Sequence, residues 1–333
     1  MSKILTVTIP SYNVENYLSE TLPTLLAIEL LRHVEILIVN DGSTDNTLKL
    51  AKELETQHPD VIRVIDKENG GHGSTINAGI KHATGKYFKV IDGDDWVDSN
   101  NFNQLVAYLL TANSDAVYSP YYEVYVDTGI EKIVTYPEVE HLETYSYEKF
   151  LELAKRLPDM HSVTILTAIL KGNNIQIGEK MFYVDMEYIM FPAPFIQTVA
   201  YFDAPIYKYR LGTATQSVNR ASFIKNRHMH QKVIFRLMAF FEKATLTGMV
   251  KEMVGKRIAL MIDRHFKILL AMDEVRQAKA ELLAFENRLK KESSIFWHRT
   301  EGWVVPLLRK THYLLFAPVS KVYRMRNGRK DRV

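Results

Sequence analysis

The chain has 333 residues, of which 47% are hydrophobic and 24% charged; this is an ordinary globular composition at a length that suits about two domains. It contains no cysteine, which excludes a disulfide framework, a thiolate nucleophile and a cysteine-based zinc site. The net charge of +3 is unevenly held: residues 304–333 carry eight Lys or Arg against one acid, Asp331, a local +7 that leaves −4 for residues 1–303.

The opening MSKILTVTIPSYN lacks the long apolar core and small-residue cleavage site of a secretion signal, so a cytoplasmic location is expected. Four apolar runs rich in β-branched residues follow: Ile4–Ile9, Val34–Val39, Val61–Ile65 and Tyr87–Ile91. Each reads as a strand. Helical patterns separate them. Asn13 is placed to cap a helix carrying Tyr17, Leu18, Leu22 and Leu25, and Ser43 or Thr44 to cap one carrying Leu48, Ala51 and Leu54. Gly73–Ala83 is a third helix, ended by Gly85. Such alternation predicts a parallel sheet covered by helices, with ligands beyond the carboxyl ends of its strands. Three polar clusters stand there: Pro10–Asn13, Asn40–Asp45 and Asp92–Asp95.

Tyr118–Val126 and Ile130–Tyr136 are strand-like and separated by Asp127-Thr128-Gly129, a hairpin signal. A helix is expected near Tyr147–Leu157, a strand at Val163–Leu170, a helical segment near Val184–Phe191, and short strands at Thr198–Phe202 and Ile206–Tyr209. Beyond about residue 220 helical spacing takes over, in Val233, Ile234, Leu237, Met238 and Phe241, then Ile258, Met261, Ile262, His265, Leu269 and Met272, then Leu282, Phe285 and Leu289. The expected organisation is an α/β domain over 1–220, a helical appendage over 221–303 and a basic amphipathic tail over 304–333.

Asp92-Gly93-Asp94-Asp95 places three carboxylates in four residues. They repel unless something neutralises them, and Mg²⁺ or Mn²⁺ held by carboxylates and substrate phosphates would do so; an acidic turn is the plainer alternative. A calcium loop is excluded, because its fifth and twelfth positions are Trp96 and Asn103. Asn40–Asp45 suits a turn and helix cap, yet capping does not require Asp41, which sits where a base or ribose could be read. Asn69-Gly70-Gly71-His72-Gly73 opens a helix and would let backbone approach an anion, although it lacks the dinucleotide spacing. Asp185 and Glu187 lie in MFYVDMEYIMF. Either is a candidate base in apolar surroundings or a solvent-facing acid; about 200° apart on a helix, only one can face a cleft.

Taken together and in order, TVTIPSYNVENYLSETLPTLL, EILIVNDGSTDNT and ENGGHGSTINAGIKHATGKYFKVIDGDDW resemble the inverting glycosyltransferases of family 2, over about residues 4–215. The resemblance implies a GT-A fold, a Rossmann-like mixed α/β sheet with helices on both faces, and a bacterial surface-polysaccharide type of enzyme. It implies that Pro10, Tyr12, Asp41, Asn69, Gly70, Asp92 and Arg210 bind the nucleotide, a UDP-sugar. Tyr12 would pack on the base, Asp41 would bond it, and Asp92 would contact the ribose side. Asp94 would hold Mn²⁺ or Mg²⁺, and Asp185 would be the catalytic base of a single displacement. Tyr209-Arg210 and Gln216-Ser217 resemble a segment that closes over the diphosphate. Two positions depart from the family pattern: Ile76 stands where a basic residue is common, and Val184 where Glu usually precedes the base.

The tail interleaves Trp297, Trp303, Val304, Val305, Leu307, Leu308 and Tyr313–Ala317 with basic residues, a pattern that suits a membrane interface or a segment packed on the appendage. A glycan or polyprenyl-linked acceptor and a peripheral position on the inner membrane face are expected. No nucleic-acid partner is, because the basic residues are not spread over a folded face. Two competing readings are a sugar-nucleotide pyrophosphorylase, against which the Pro10-Ser11-Tyr12-Asn13 loop argues, and a catalytically silent nucleotide-sugar-binding module, against which the acidic cluster argues.

Overall fold

The four N-terminal apolar runs form parallel strands β1 (Leu5–Ser11), β2 (Val34–Asp41), β3 (Ile62–Lys67) and β4 (Tyr87–Val90), with helices α1 (Glu15–Leu26), α2 (Thr47–Gln57) and α3 (His72–His82) between them. In this computed structural model residues 2–213, 219–299 and 302–327 are described, and the chain divides into two units, Met1–Thr213 and Ala214–Val333. β1 and β2 are buried along their whole length, as strands of a sheet covered on both faces are.

The first unit continues through β5 (Trp96–Val97), α4 (Ser99–Leu109), β6 (Ala116–Tyr118), β7 (Tyr121–Tyr125), β8 (Ile130–Val134), β9 (Thr144–Ser146), α5 (Tyr147–Ala154), β10 (Val163–Leu166), α6 (Thr167–Gly172), α7 (Asp185–Met190), β11 (Thr198–Tyr201) and β12 (Tyr207–Leu211). Eight strands form a mixed sheet in the order β3-β2-β1-β4-β10-β6-β11-β9, and four form a smaller one, β5-β12-β7-β8. Leu5 is level with Val34 on one side and Tyr87 on the other. The order turns back between β1 and β4, and such a switch opens a crevice at the strands' carboxyl ends.

Local differences from the sequence reading have physical causes. Tyr118–Val126 is two strands, because Ser119-Pro120 interrupts it and proline offers no N–H to a ladder. β6 stays in the large sheet and β7 begins the small one. Val163–Leu170 splits at Leu166: β10 gives way to α6, and the Thr167 hydroxyl donates to the Gly85 carbonyl at 2.6 Å. Asn13 does not cap α1. It adopts φ +53° and its side-chain oxygen accepts from Thr44 N at 2.8 Å. Ser43 and Thr44 likewise do not cap α2, which is preceded by Asn46. The Ser43 hydroxyl accepts from Asn13 N, and Asp45 from Glu15 N and Thr47 N. These polar residues stitch the loop after β1 to the loop after β2.

The second unit is helical: α8 (Arg220–Lys225), α9 (Arg227–Lys243), α10 (Gly248–Leu270), α11 (Val275–Glu292), α12 (Ser294–His298), α13 (Val304–Lys310) and α14 (Phe316–Asn327). Its core takes Val233, Ile234, Leu237, Ile258, Ile262, Leu269, Leu282, Phe285 and Leu289, all buried. Within this unit Val305, Leu308 and Phe316 are buried, Arg309 pairs with Glu286 at 2.8 Å, and the Ser320 hydroxyl donates to the Leu270 carbonyl at 2.8 Å. No helix among the described residues is long and apolar enough to cross a membrane.

Candidate active site

The loops at the ends of β1, β2 and β4 converge at the switch point. Gly93 N donates to the Pro10 carbonyl at 3.2 Å, and a Cβ on Gly93 would stand 2.8 Å from that oxygen. Only glycine lets the acid loop close against β1. Tyr12, just past β1, is 51% exposed.

Asp41 ends β2 and is buried. Its carboxylate accepts from Gly70 N at 2.9 Å, Gly71 N at 2.7 Å, Lys67 Nζ at 2.7 Å and the Ser74 hydroxyl at 3.2 Å. The Asn69 amide donates to the Asp41 carbonyl at 2.9 Å. Asp41 and Asn69, expected to meet the nucleotide, thus also build the glycine turn that starts α3. Gly71 holds φ +81° there, and a Cβ on it would stand 3.2 Å from Lys180 N.

That turn delivers His72, whose Nε2 lies 2.8 Å from Asp92 Oδ1. Burial alone would discharge the imidazole, but the carboxylates of Asp92, Asp185 and Asp94 outweigh it and raise its pKa. Conversely, burial disfavours the Asp92 carboxylate, yet His72 holds its pKa below the ordinary value. Asp95 is fully buried; its Oδ2 accepts from the Tyr207 hydroxyl at 2.6 Å and its Oδ1 from Arg210 N at 2.7 Å, and desolvation with the neighbouring Asp94 and Asp92 charges drives its pKa well up. Asp94 is pushed up to about 6 by burial and by Asp92. The acid loop is therefore graded: His72 favours the Asp92 carboxylate, whereas burial and mutual repulsion push Asp94 and Asp95 the other way.

Arg210 Nε donates to the Asp94 carbonyl at 2.6 Å and Nη2 to Glu20 at 2.7 Å, and its guanidinium lies over Trp96 and Tyr17, at 4.5 and 5.0 Å. This places a fixed cation beside the acid loop. Asp185, first residue of α7, is partly buried and close enough to act electrostatically on His72 and Tyr209. Glu187 is fully buried and accepts from Gly178 N at 2.6 Å. It holds the segment before α7, so of the two acids Asp185 is the one in the field of the acid loop. Gln216 and Ser217 lie outside the described residues.

Sequence reasoning missed His161 and used only the glycines around His72. His161 stacks on Tyr209 at 4.2 Å and meets Tyr207 edge-on at 4.6 Å; burial lowers its pKa to about 4, and its buried Nδ1 has no hydrogen-bond partner among the described residues. One ligand atom from each of Asp92, Asp95 and His161 lies within 4.8 Å of the others. Two carboxylates and a neutral imidazole suit a divalent cation, and the imidazole favours a transition ion over Mg²⁺. Asp94, the expected metal ligand, is outside that trio. His72 stood inside a quoted motif and was legible as a cation next to acids; no local pattern pointed to His161.

Residues 6–169 match the family described as Glycosyl transferase family 2. Residues 6–169 are a glycosyltransferase family 2 segment. Among curated relatives, it is 28% identical over 178 residues to the glycosyltransferase GlyA of Streptococcus pneumoniae serotype 4, covering 53% of this chain and 25% of that one. It is 33% identical over 156 residues to the uncharacterized glycosyltransferase EpsJ of Bacillus subtilis, covering 44% of this chain and 45% of that one. The chain thus spans less than half the length of either relative. Among solved structures, S. aureus TarS 1-349 in complex with UDP-GlcNAc superposes with a TM-score of 0.67 at 19% identity, over 98% of this chain and 92% of that one. That likeness concerns the fold. The GT-A architecture expected of the family 2 transferase is the one observed.

Proposed function

We propose that this family 2 transferase moves a sugar from a nucleoside diphosphate donor to a hydroxyl of a glycan or polyprenyl-linked acceptor, with inversion at the anomeric carbon. The observation that carries the reading is the convergence of a graded acid loop, Asp92 to Asp95, with Arg210 and Asp185 at the switch point of the sheet. The nucleotide would lie across the ends of β1 and β2, its base on Tyr12 and within reach of Asp41, Asn69 and Gly70, and its ribose side toward Asp92. Pro10 would shape the floor.

Asp94, with the Asp92, Asp95 and His161 trio beside it, would hold a divalent cation. Such a cation stabilises charge on the departing diphosphate. Arg210 adds a fixed positive charge on the same side, and because it is already stacked and bonded it needs little reorganisation as charge develops. Asp185 would take the proton of the attacking hydroxyl, and a single displacement from the face opposite the leaving group inverts the configuration. The uridine preference rests on the resemblance, and the TarS complex makes UDP-GlcNAc the first donor to try. A lipid-linked acceptor would put the reaction at the inner face of a membrane in bacterial surface-polysaccharide synthesis.

The test is release of nucleotide from a panel of UDP-sugars, with Mn²⁺, with Mg²⁺ and with chelator. Metal-dependent release of UDP from one donor supports the reading. Tight UDP binding with no release from any donor, with or without candidate acceptors, favours a silent binding module.

A further inference from the structure

The acid-free end of the chain has two chemically different faces. Residues 302–330 contain no Asp or Glu. Within the second unit, the inner face of α14 is fully accounted for: Phe316 and Ser320 are buried, Ser320 bonds to the Leu270 carbonyl, and Arg324 donates to the Met272 and Asp273 carbonyls, each at 3.0 Å. The residues first counted as interfacial in α13, Val305 and Leu308, are also core, and Arg309 is spent on Glu286.

What remains outside is apolar. Leu314 is 77% exposed, Met325 63%, Val322 48% and Leu315 39%. On an α-helix Pro318, Val322 and Met325 fall within about 60° of one another, and exposed Leu314 and Leu315 stand just before that helix. Lys321 and Arg326 flank it, one on each side, and Lys310 is exposed nearby in sequence. None of these three forms an ion pair among the described residues. A packed helix does not need an apolar outer stripe, and contiguous exposed apolar surface marks a contact.

We propose that this outer face of α14, with Leu314 and Leu315 before it, docks the protein on an anionic lipid bilayer. Apolar side chains at the level of the acyl boundary with basic residues at the rim are the two elements of such binding. The charge pattern chooses between occupants. A two-fold contact with a second copy sets the same patch against itself, which would bring basic rim to basic rim with no acid in residues 302–330 to relieve it, whereas an anionic bilayer supplies the missing charge. The inference extends the proposed reading, since a lipid-linked acceptor lies at such a surface, but it does not require that reading to hold.

The test is co-sedimentation of the full chain with vesicles of phosphatidylcholine alone or mixed with phosphatidylglycerol, beside UDP binding by calorimetry and self-association by sedimentation velocity. The expected result is partition onto the phosphatidylglycerol vesicles only, lost near ~0.5 M salt. Met325→Asp, and separately the pair Lys321→Glu and Arg326→Glu, should lower that partition at least about tenfold with UDP affinity unchanged. Wild-type protein that ignores anionic vesicles, or partition that survives both sets of changes, would overturn the proposal. So would self-association abolished by Met325→Asp, which would assign the stripe to a second copy. Loss of vesicle binding and loss of UDP binding are separate readouts, so a failure of the donor reading is visible on its own.

Discussion

The imidazole of His72, at the start of α3, faces Oδ1 of Asp92, at the end of β4, at 2.8 Å. That contact answers the question posed by three carboxylates in four residues. One meets the imidazole of His72, one is buried within hydrogen bonds from Tyr207 and Arg210, and Asp94 is held at its carbonyl by Arg210.

Replacing His72 should therefore be felt first as stability. His72→Ala leaves Asp92 partly buried with no cation beside it and should cost ~1–3 kcal/mol, while His72→Gln, which still donates, should recover part of it. The raised pKa of His72 adds stability that is full below its unfolded value of 6.5 and is lost as pH rises through the folded value. The lowered pKa of Asp92 adds stability that is present above 3.8 and lost as pH falls through the folded value. The gap in melting temperature between wild type and His72→Gln should be widest between about pH 4 and 6.5 and narrow above it. A gap that does not change with pH would refute the ion-pair account.

Asp94→Asn should act in two opposite ways. With its pKa raised to about 6, the native state binds the extra proton between 3.8 and 6, so the buried charge lowers stability as pH rises through 6. Removing that charge should raise stability above pH 6 by ~1–2 kcal/mol, discounted for solvent screening, with little effect at pH 4. The same variant should lose the tightening of UDP binding by Mn²⁺. Metal-dependent affinity retained in Asp94→Asn would move the cation onto Asp92, Asp95 and His161 alone.

Asp41→Ala should weaken UDP binding and the fold together. It removes the acceptor for Lys67, for two backbone amides and for Ser74, and breaking a buried pair costs ~3–5 kcal/mol. Calorimetry of UDP and a thermal melt on the same sample check this. A lower affinity with an unchanged melt would mean that the base contact dominates and the turn holds without it.

Asp185→Asn should lower the transfer rate by ~10²–10⁴-fold with donor and metal affinity near wild type. Glu187→Gln, whose carboxylate receives Gly178 N inside the core, should lower the melting temperature more than turnover. Rates and melts for both variants, measured side by side, separate a base from a structural acid. If Glu187→Gln alone lost turnover at an unchanged melting temperature, the base would be two residues further on.

The strands and the position of the acid loop were legible because buried parallel strands are continuous apolar runs and their ends are marked by Pro10, Asp41 and Asp92. The split of Tyr118–Val126 was legible too, in Pro120, had the missing N–H been weighed above β-propensity. Asn13 and Ser43 were misread because a side-chain oxygen before a helix looks the same whether it caps that helix or ties to a loop 30 residues away; only the fold brings the loops after β1 and β2 together. His161 left no trace, since an isolated histidine acquires its role from Tyr209 and Asp92, 48 and 69 residues away in sequence. The same holds for Asp41, whose four donors arrive from β3, the glycine turn and α3.

Tyr207 and Arg210 both belong to β12, in the smaller sheet, and both grip Asp95, which ends the loop that leaves the larger one. The acid loop thus bridges the two sheets, leaving β4 at one end and entering β5, the partner of β12, at the other, and its placement inherits the alignment of the β7–β8 hairpin that β12 pairs beside. A bulge or a one-residue slip in that hairpin would detune a centre it never touches, so natural variation in length along β7 and β8 should be confined to the turn at residues 126–129 and kept out of the strands themselves.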